Sequence, residues 1–270
     1  MKMKKRNNLP AITTVDGHEI SYIYECAEEG GKANTIVVVT HGIFTDKREK
    51  GRFDRLSERL RDAKLDVFRF DFRGHGESHF HSARFTLSGA LTDYFTVLNW
   101  VEQLKYNQIA VIGSSFGGGI VLLERLLPQP KEIASVVLLN PVLDYEATFL
   151  NPLLEWGKGI IDIKKIKRIQ TEGKATLTDT FEGSIDFLNE MCLIRPLLGL
   201  NNFENPILIL HGDKDDKVPL EPAKQIAEHS SKLKLEVVQG AAHAFKDPDK
   251  EAYVHKRTID WILESIELRS

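Results

Sequence analysis

Ser115 lies in the stretch AVIGSSFGGGIVLLERLL, residues 110 to 127, where an apolar β-branched run gives way to glycines and then to a helical pattern. A serine hydroxyl is a weak nucleophile at neutral pH. A chain that uses one must expose it, set a base beside it and aim hydrogen-bond donors at the oxyanion it creates. A strand-to-helix turn can do the first and supply part of the last. Ile109 to Ile112 reads as a short buried strand and Ile120 to Leu127 as an apolar helix face. Gly113 and Gly117 stand two residues on either side of the serine, the G-x-S-x-G spacing that lets a strained serine project above a sheet. By chance that bare pattern recurs in roughly one chain in ten of this size. Its weight comes from the strand before it, the helix after it and the further glycines Gly118 and Gly119. A competing reading is a glycine-rich turn that cradles a phosphate at a helix N-terminus.

A serine nucleophile needs an imidazole in reach and a carboxylate to orient it. Of nine histidines, His243 suits the base: it lies in the small-residue loop QGAAHAF after the last apolar strand, where a side chain can lean over the sheet edge. His41 and His211 each precede a glycine at a strand end and are read as bracing loop backbone, and His75 in RGHGES as shaping a loop. Three aspartates, Asp213, Asp215 and Asp216, follow one strand, and spacing does not choose among them. The oxyanion donors expected are the backbone N–H of Phe116, just after the nucleophile, and that of Ile43 in HGIFTDK, where Gly42 lets the chain bend close.

These residues have to be carried by a frame that gathers strand ends. HEISYIYE alternates like an edge strand, TIVVVT (35–40) reads as a buried one, and a helix follows near Phe53 to Ala63. Then come a strand near Asp66 to Phe72, a helix from about Ser88 to Leu104, the elbow, and IASVVLLN from Ile133 to Asn140. After PILILHG come a helix beyond Pro219, the strand KLEVV and a closing helix from about Lys250 to Ile266. Strands alternating with helices predict an α/β fold, a mostly parallel sheet with helices on both faces. In such sheets ligands bind at the carboxyl ends of the strands, which is where the candidate residues fall. Between 141 and 203 the rhythm fails; that stretch holds the basic segment KKIKR and reads as a mostly helical insertion without a buried strand. The organisation expected is a core of 1–140 and 204–270 interrupted by 141–203.

The chain has 270 residues, with 36 Lys plus Arg against 39 Asp plus Glu and a net charge of −3, so nothing points to a nucleic-acid partner. Two distant cysteines, Cys26 and Cys192, imply neither a disulfide framework nor a zinc site. The basic start MKMKKRNNLPAITT has no apolar segment after it, and no run approaches a membrane span. A cytoplasmic protein without cofactor or metal is expected, its partner a small-molecule ester, with a homodimer allowed.

In order along the chain, HGIFTDKRE, FDFRGHGES, GSSFGG, HGDKDDKVP and GAAHAF resemble the oxyanion loop, arginine-glycine turn, elbow, acid loop and histidine loop of the α/β-hydrolase fold serine hydrolases. The resemblance is strongest to the cinnamoyl/feruloyl esterase and monoglyceride-lipase-like branch, which also holds serine aminopeptidases and acyl thioesterases. It implies that Asp215, in the pattern H-G-x-x-D-x-x-V-P, is the acid, and that 141–203 is a lid. The expected reaction is hydrolysis of carboxylic or thio esters through an acyl-enzyme, with thioesterase or acyltransferase and serine peptidase as alternatives. A non-catalytic binding module on the same fold is a remote one, since no triad member is missing. Haloalkane and epoxide hydrolases would carry Asp at the elbow. Apolar residues crowd the insertion, among them Phe149, Trp156, Phe181, Phe187 and Met191. Most are expected to pack it onto the body, with Trp156 and Phe181 the candidates to line a pocket for short-to-medium or aromatic acyl groups.

Overall fold

The structure, a computed structural model, describes residues 10–28, 31–203, 206–230 and 233–268. The basic stretch MKMKKRNNL, and with it the reading of the chain's start, lies outside the described residues, as do the expected boundary at 204 and the last two residues. Two short strands, β1 (Ile12–Thr13) and β2 (Glu19–Ile20), pair as an antiparallel hairpin. The main sheet is built from β3 (Tyr22–Glu25), β4 (Thr35–Thr40), β5 (Asp66–Phe70), β6 (Gln108–Ser114), β7 (Ser135–Leu139), β10 (Ile207–Gly212) and β11 (Leu233–Val238). Its order is β11-β10-β7-β6-β4-β5-β3, parallel throughout except where edge strand β3 runs against β5. HEISYIYE thus contributes to two sheets, breaking at Ser21.

Every residue of TIVVVT is buried because helices cover both faces of β4. Alternate side chains of a strand point to opposite faces. Ile36 and Val38 pack toward α2 (Leu87–Gln103) and α3 (Phe116–Glu124), through Leu98, Val101, Ile120 and Val121. Val37 and Val39 pack toward α1 (Arg52–Asp62) and α8 (Pro248–Glu267), through Phe53, Leu56, Leu60, Val254 and Ile262. The elbow helix starts earlier than its apolar face suggests. Three consecutive glycines, poor helix formers in isolation, are drawn into α3 because the helix must press against β6 and the 141–203 segment.

That segment holds a π-helical turn at Glu146–Leu150, α4 (Glu155–Ile160), α5 (Ile163–Glu172), α6 (Ile185–Leu193) and a 3-10 turn at Pro196–Asn202. It also holds a two-stranded antiparallel sheet, β8 (Lys174–Thr178) with β9 (Phe181–Ser184), where the sequence reading expected no buried strand. The strands escaped notice because they are short and mostly polar. Only Ala175 and Leu177 of β8 face inward, at 3% and 4% exposure, beside exposed Lys174 and Thr176. The remaining core element, α7 (Glu221–Ala227), follows the loop after β10. Among the described residues no helix is long and apolar enough to cross a membrane.

His255 on α8 is buried against Phe53 and Leu56 of α1. Burial pushes its pKa down from the ordinary 6.5 to about 4, with Arg52, Arg55 and Arg59 adding to the shift and Glu251 opposing it. Between those two values only the unfolded chain takes the proton, so acid favours unfolding in that window and the contribution is full above it. At pH 5.5 the expected loss from this one group is about 1 kcal/mol relative to pH 7.5. His255→Gln should flatten the pH dependence of urea-unfolding free energy by that amount. Equal slopes in parent and variant would remove His255 as the cause.

Candidate active site

Ser115 joins β6 to α3 with φ 51° and ψ −119°, a conformation that costs a non-glycine residue on the order of 1–3 kcal/mol. Hydrogen bonds hold it there. Its N–H donates to Leu139 O at 2.9 Å, and its carbonyl accepts from Val142 N at 2.9 Å and Gly118 N at 3.0 Å. The glycines serve close packing: a Cβ on Gly113 would lie 2.8 Å from Gly118 Cα, and one on Gly117 would lie 2.6 Å from His41 O. Ser115 is 7% exposed.

The loop after β11 brings His243 to the serine, with Nε2 3.1 Å from Ser115 Oγ. Its other ring nitrogen, Nδ1, lies 2.8 Å from Asp215 Oδ2. With a carboxylate on Nδ1, that nitrogen carries the proton and Nε2 presents its lone pair to the hydroxyl. Asp215 comes from the loop after β10, where its Oδ1 accepts the N–H groups of Lys217 and Val218, both at 2.9 Å. His211 Nε2 stands 3.4 Å from Asp215 Oδ2 and 3.2 Å from Val218 O. Burial would raise the Asp215 carboxyl, but hydrogen bonds from His211, His243 and Val218, with the charge of His243, outweigh it and hold it well below the usual carboxylate range. Asp213 instead accepts Gly240 N–H at 2.6 Å, and Asp216 is exposed. Spacing left three aspartates open; the loop's turn aims one of them at the imidazole.

Ile43 and Phe116, whose N–H groups were the expected oxyanion donors, flank the serine. A Cβ on Gly42 would sit 3.2 Å from Ser115 Cβ, and Phe116 is the first residue of α3, where an N–H has no intrahelical acceptor. Among the described residues neither N–H donates to another protein group. His41 braces this loop: Phe72 N–H donates to its Nε2 at 3.0 Å, so Nδ1–H donates to Gly42 O at 2.7 Å. Burial lowers its pKa and keeps it neutral. His75 Nδ1–H donates to Arg73 O at 3.0 Å, and burial, with His41 close by, brings its pKa down to about 3.

Sequence reasoning missed Asn140. It follows β7 with φ 45°, Oδ1 accepts Gly212 N–H at 2.8 Å, and Nδ2 donates to His243 O. One amide thereby ties the end of β10 to the loop after β11. The available signal was an asparagine at a strand end, a residue type that tolerates left-handed backbone and hydrogen-bonds locally.

Of the apolar residues in 141–203, Phe149, Phe187 and Met191 are no more than 1% exposed and pack the segment inward. Trp156 is half-buried, 6.4 Å between ring centroids from Phe44, beside Ile43, with Lys217 Nζ of the acid loop 5.6 Å from its ring. Phe181 also meets Phe44, at 5.0 Å, but is 2% exposed and sits among His75, Phe85 and Phe187. The two candidates therefore converge on one ring of the loop after β4, half-buried Trp156 on one side and buried Phe181 on the other. Among the described residues, no group of three or more His, Cys, Asp or Glu could hold a metal ion.

The family described as "Serine aminopeptidase, S33" matches residues 31–249. A palmitoyl-protein thioesterase, ABHD10 of Pongo abelii, is 26% identical over 73% of this chain and 63% of its own length. The chain spans less than two thirds of the first curated relatives it matches. A monoacylglycerol lipase of Mycolicibacterium smegmatis is 25% identical over 86% of this chain and 89% of its own. Among solved structures, Est1E of Butyrivibrio proteoclasticus, determined with ferulic acid bound, superposes with a TM-score of 0.80 at 22% identity, covering 96% of this chain and all of that one. At that identity the likeness speaks to the fold.

Asn140→Ala leaves Gly212 N–H and the His243 carbonyl without their shared partner. It should cost about 1–3 kcal/mol of stability. It should also raise amide exchange in the loops after β10 and β11 while the β4–β6 core stays protected. Unchanged exchange in both loops would show that Asn140 does not clamp them.

Proposed function

The chain belongs to the serine aminopeptidase S33 family of α/β-hydrolases, and from that premise we propose that it hydrolyses carboxylic esters through an acyl-enzyme on Ser115. One observation carries the reading: an unbroken hydrogen-bonded line from Asp215 through His243 to a strained serine, at 2.8 and 3.1 Å. Ser115 Oγ attacks the carbonyl carbon as His243 Nε2 takes its proton. The tetrahedral oxyanion is held by the N–H groups of Ile43 and Phe116. His243 then protonates the leaving alcohol, and the acyl group stays on Ser115. Water, deprotonated by the same imidazole, releases the acid. Asp215 keeps His243 in the productive tautomer and stabilises the imidazolium; the bonds that hold its carboxyl ionised suit that task.

The 141–203 segment acts as a lid in this reading. Trp156 bridges the oxyanion and acid loops, and Phe181 backs the same wall through Phe44. An acyl chain slides between these rings and the elbow, which favours short-to-medium or aromatic acyl groups over acetyl. A thioester is a second substrate class. The attack is the same and the leaving group better, and a relative bears the name of a palmitoyl-protein thioesterase. A cytoplasmic location accompanies the proposal, because Cys26 and Cys192 are both free thiols.

Two measurements test it. Ser115→Ala should stay folded and lose roughly 10³-fold or more of its turnover on p-nitrophenyl butyrate. Asp215→Asn should lose about 10²-fold or more, and Asp213→Asn only a few fold. A Ser115→Ala enzyme within tenfold of the parent would sink the assignment.

The substrate class is read from a panel of p-nitrophenyl acetate, butyrate and octanoate, a hydroxycinnamate ester, an acyl-CoA and an amino-acid anilide. kcat/KM should rise by about fourfold per methylene until the pocket fills, at about 0.8 kcal/mol per buried CH₂. Trp156→Ala should flatten that rise. Highest efficiency on acetate, or a profile unmoved by Trp156→Ala, would take the lid out of specificity.

A further inference from the structure

The stretch HGIFTDKRE ends on a glutamate that the hydrolytic steps leave unused. Glu49 opens three consecutive left-handed residues, with φ 43° at Glu49, 56° at Lys50 and 88° at Gly51. Two of them carry side chains, so the conformation is strained and its surroundings must hold it. The bend turns the carboxylate inward. Its side chain is 12% exposed, and Oε1 accepts Gly42 N–H at 2.8 Å. Oε2 pairs with the guanidinium of Arg52, the first residue of α1. The same Arg52 nitrogen, Nη2, donates to Ser114 Oγ at 2.6 Å, on a residue 3% exposed.

The ends of this chain of contacts matter. Gly42 immediately precedes Ile43; Ser114 stands two residues before Phe116. The Gly42–Glu49–Arg52–Ser114 line therefore joins the two backbone segments that carry the oxyanion donors. It runs close beneath the nucleophile, since a Cβ on Gly42 would lie 3.5 Å from Glu49 Oε1 and 3.6 Å from Ser115 Oγ. Burial would neutralise Glu49, but the Arg52 charge, the Gly42 N–H and, less strongly, His41 and His243 hold its carboxyl below the usual range. An ionised carboxylate gives the shorter, stronger bonds that fix a loop.

We propose that Glu49 is a positioning residue for acyl transfer. Through Gly42 on one side and Arg52 and Ser114 on the other, it sets the separation of the Ile43 and Phe116 N–H groups. The proposal rests on the serine-hydrolase reading above. An oxyanion hole stabilises charge only where its donors meet the oxygen of the tetrahedral intermediate, so a loosened line should weaken that state and spare ground-state binding.

The test uses two variants. Ser114→Ala removes the elbow anchor with little change in bulk. Glu49→Gln combined with Arg52→Met removes both charges, so neither is left buried alone. Sites are titrated with a fluorescent phosphonate, kcat and KM per titrated site are measured on p-nitrophenyl butyrate, and a trifluoromethyl ketone of the same acyl chain reads affinity for the tetrahedral adduct. The expected kcat is about 3- to 10-fold lower in Ser114→Ala and about 10- to 100-fold lower in the double variant, with KM within about twofold. Ketone affinity should fall in proportion to kcat/KM. Unchanged kcat per titrated site in Ser114→Ala, even with a lower Tm, overturns the proposal and leaves Glu49 a loop staple. So does ketone affinity that holds while kcat falls. Failure of the underlying reading looks different: the parent does not turn over, or Ser115→Ala matches it.

Discussion

The approach of α3 to β6 is the constraint on which the other features depend. A helix that leaves a strand within one residue must cross it at backbone contact, and Gly113 meets Gly118 at a distance where no side chain fits. That crossing forces Ser115 into its strained conformation and leaves the Phe116 N–H at a helix start without an internal partner. It also presses Gly117 against His41 O, which brings the loop after β4 alongside. The strained Ser115, the Phe116 N–H without an internal partner and the approach of the loop after β4 thus follow from a single packing event. The strain is tolerated because Leu139 O and Val142 N, on β7 and just beyond it, hold the serine backbone from the side.

Around that crossing the loops are held by buried charge. Asp71 accepts Lys47 N–H at 2.7 Å and Glu77 N–H at 2.9 Å and pairs with Lys47 Nζ, tying the HGIFTDK loop to RGHGES. Asp93, fully buried on α2, accepts from Arg73 N at 2.8 Å and pairs with its guanidinium. Such pairs add little net stability, because desolvation offsets most of the attraction, but breaking one leaves a costly lone charge. They make loop geometry nearly all-or-none. Loops at the carboxyl end of a sheet are otherwise its most mobile parts, and reaction geometry needs them still.

The 141–203 segment meets the core through hydrogen bonds, among them Glu182 N–H to Ser82 Oγ at 3.0 Å, Ser88 N–H to Glu190 Oε2 at 3.1 Å and Asn202 Nδ2 to Arg125 O at 2.9 Å, and through rings. Phe44, at φ 64°, is where the loop after β4 turns its side chain toward Trp156 and Phe181. Aromatic edges of this kind bury large area with few rotatable bonds. Asp215 and His243 hang from the loops after β10 and β11, whereas the start of the segment holds the elbow itself, through Val142 N–H on Ser115 O and Pro141 against Gly118.

From the sequence alone one could read the order of the strands, their burial and the glycine-flanked serine, because those are local facts of periodicity and steric size. Ile36 to Val39 had to be buried on both faces, and Ser115 had to sit at a turn. His243 was legible by its place after the last strand. Other features belong to the folded chain. Asp213, Asp215 and Asp216 are chemically alike along the sequence, and only the turn after β10 aims Asp215 at the imidazole while Asp213 caps Gly240. β8 and β9 carry too few apolar residues to announce themselves, and form where Ala175 and Leu177 find a surface to cover. The contacts of Asn140 and Glu49 come from segments more than 70 residues away or from a left-handed bend that periodicity does not encode. Local sequence specifies which way a side chain can face; what it meets there is decided by the packing of distant segments.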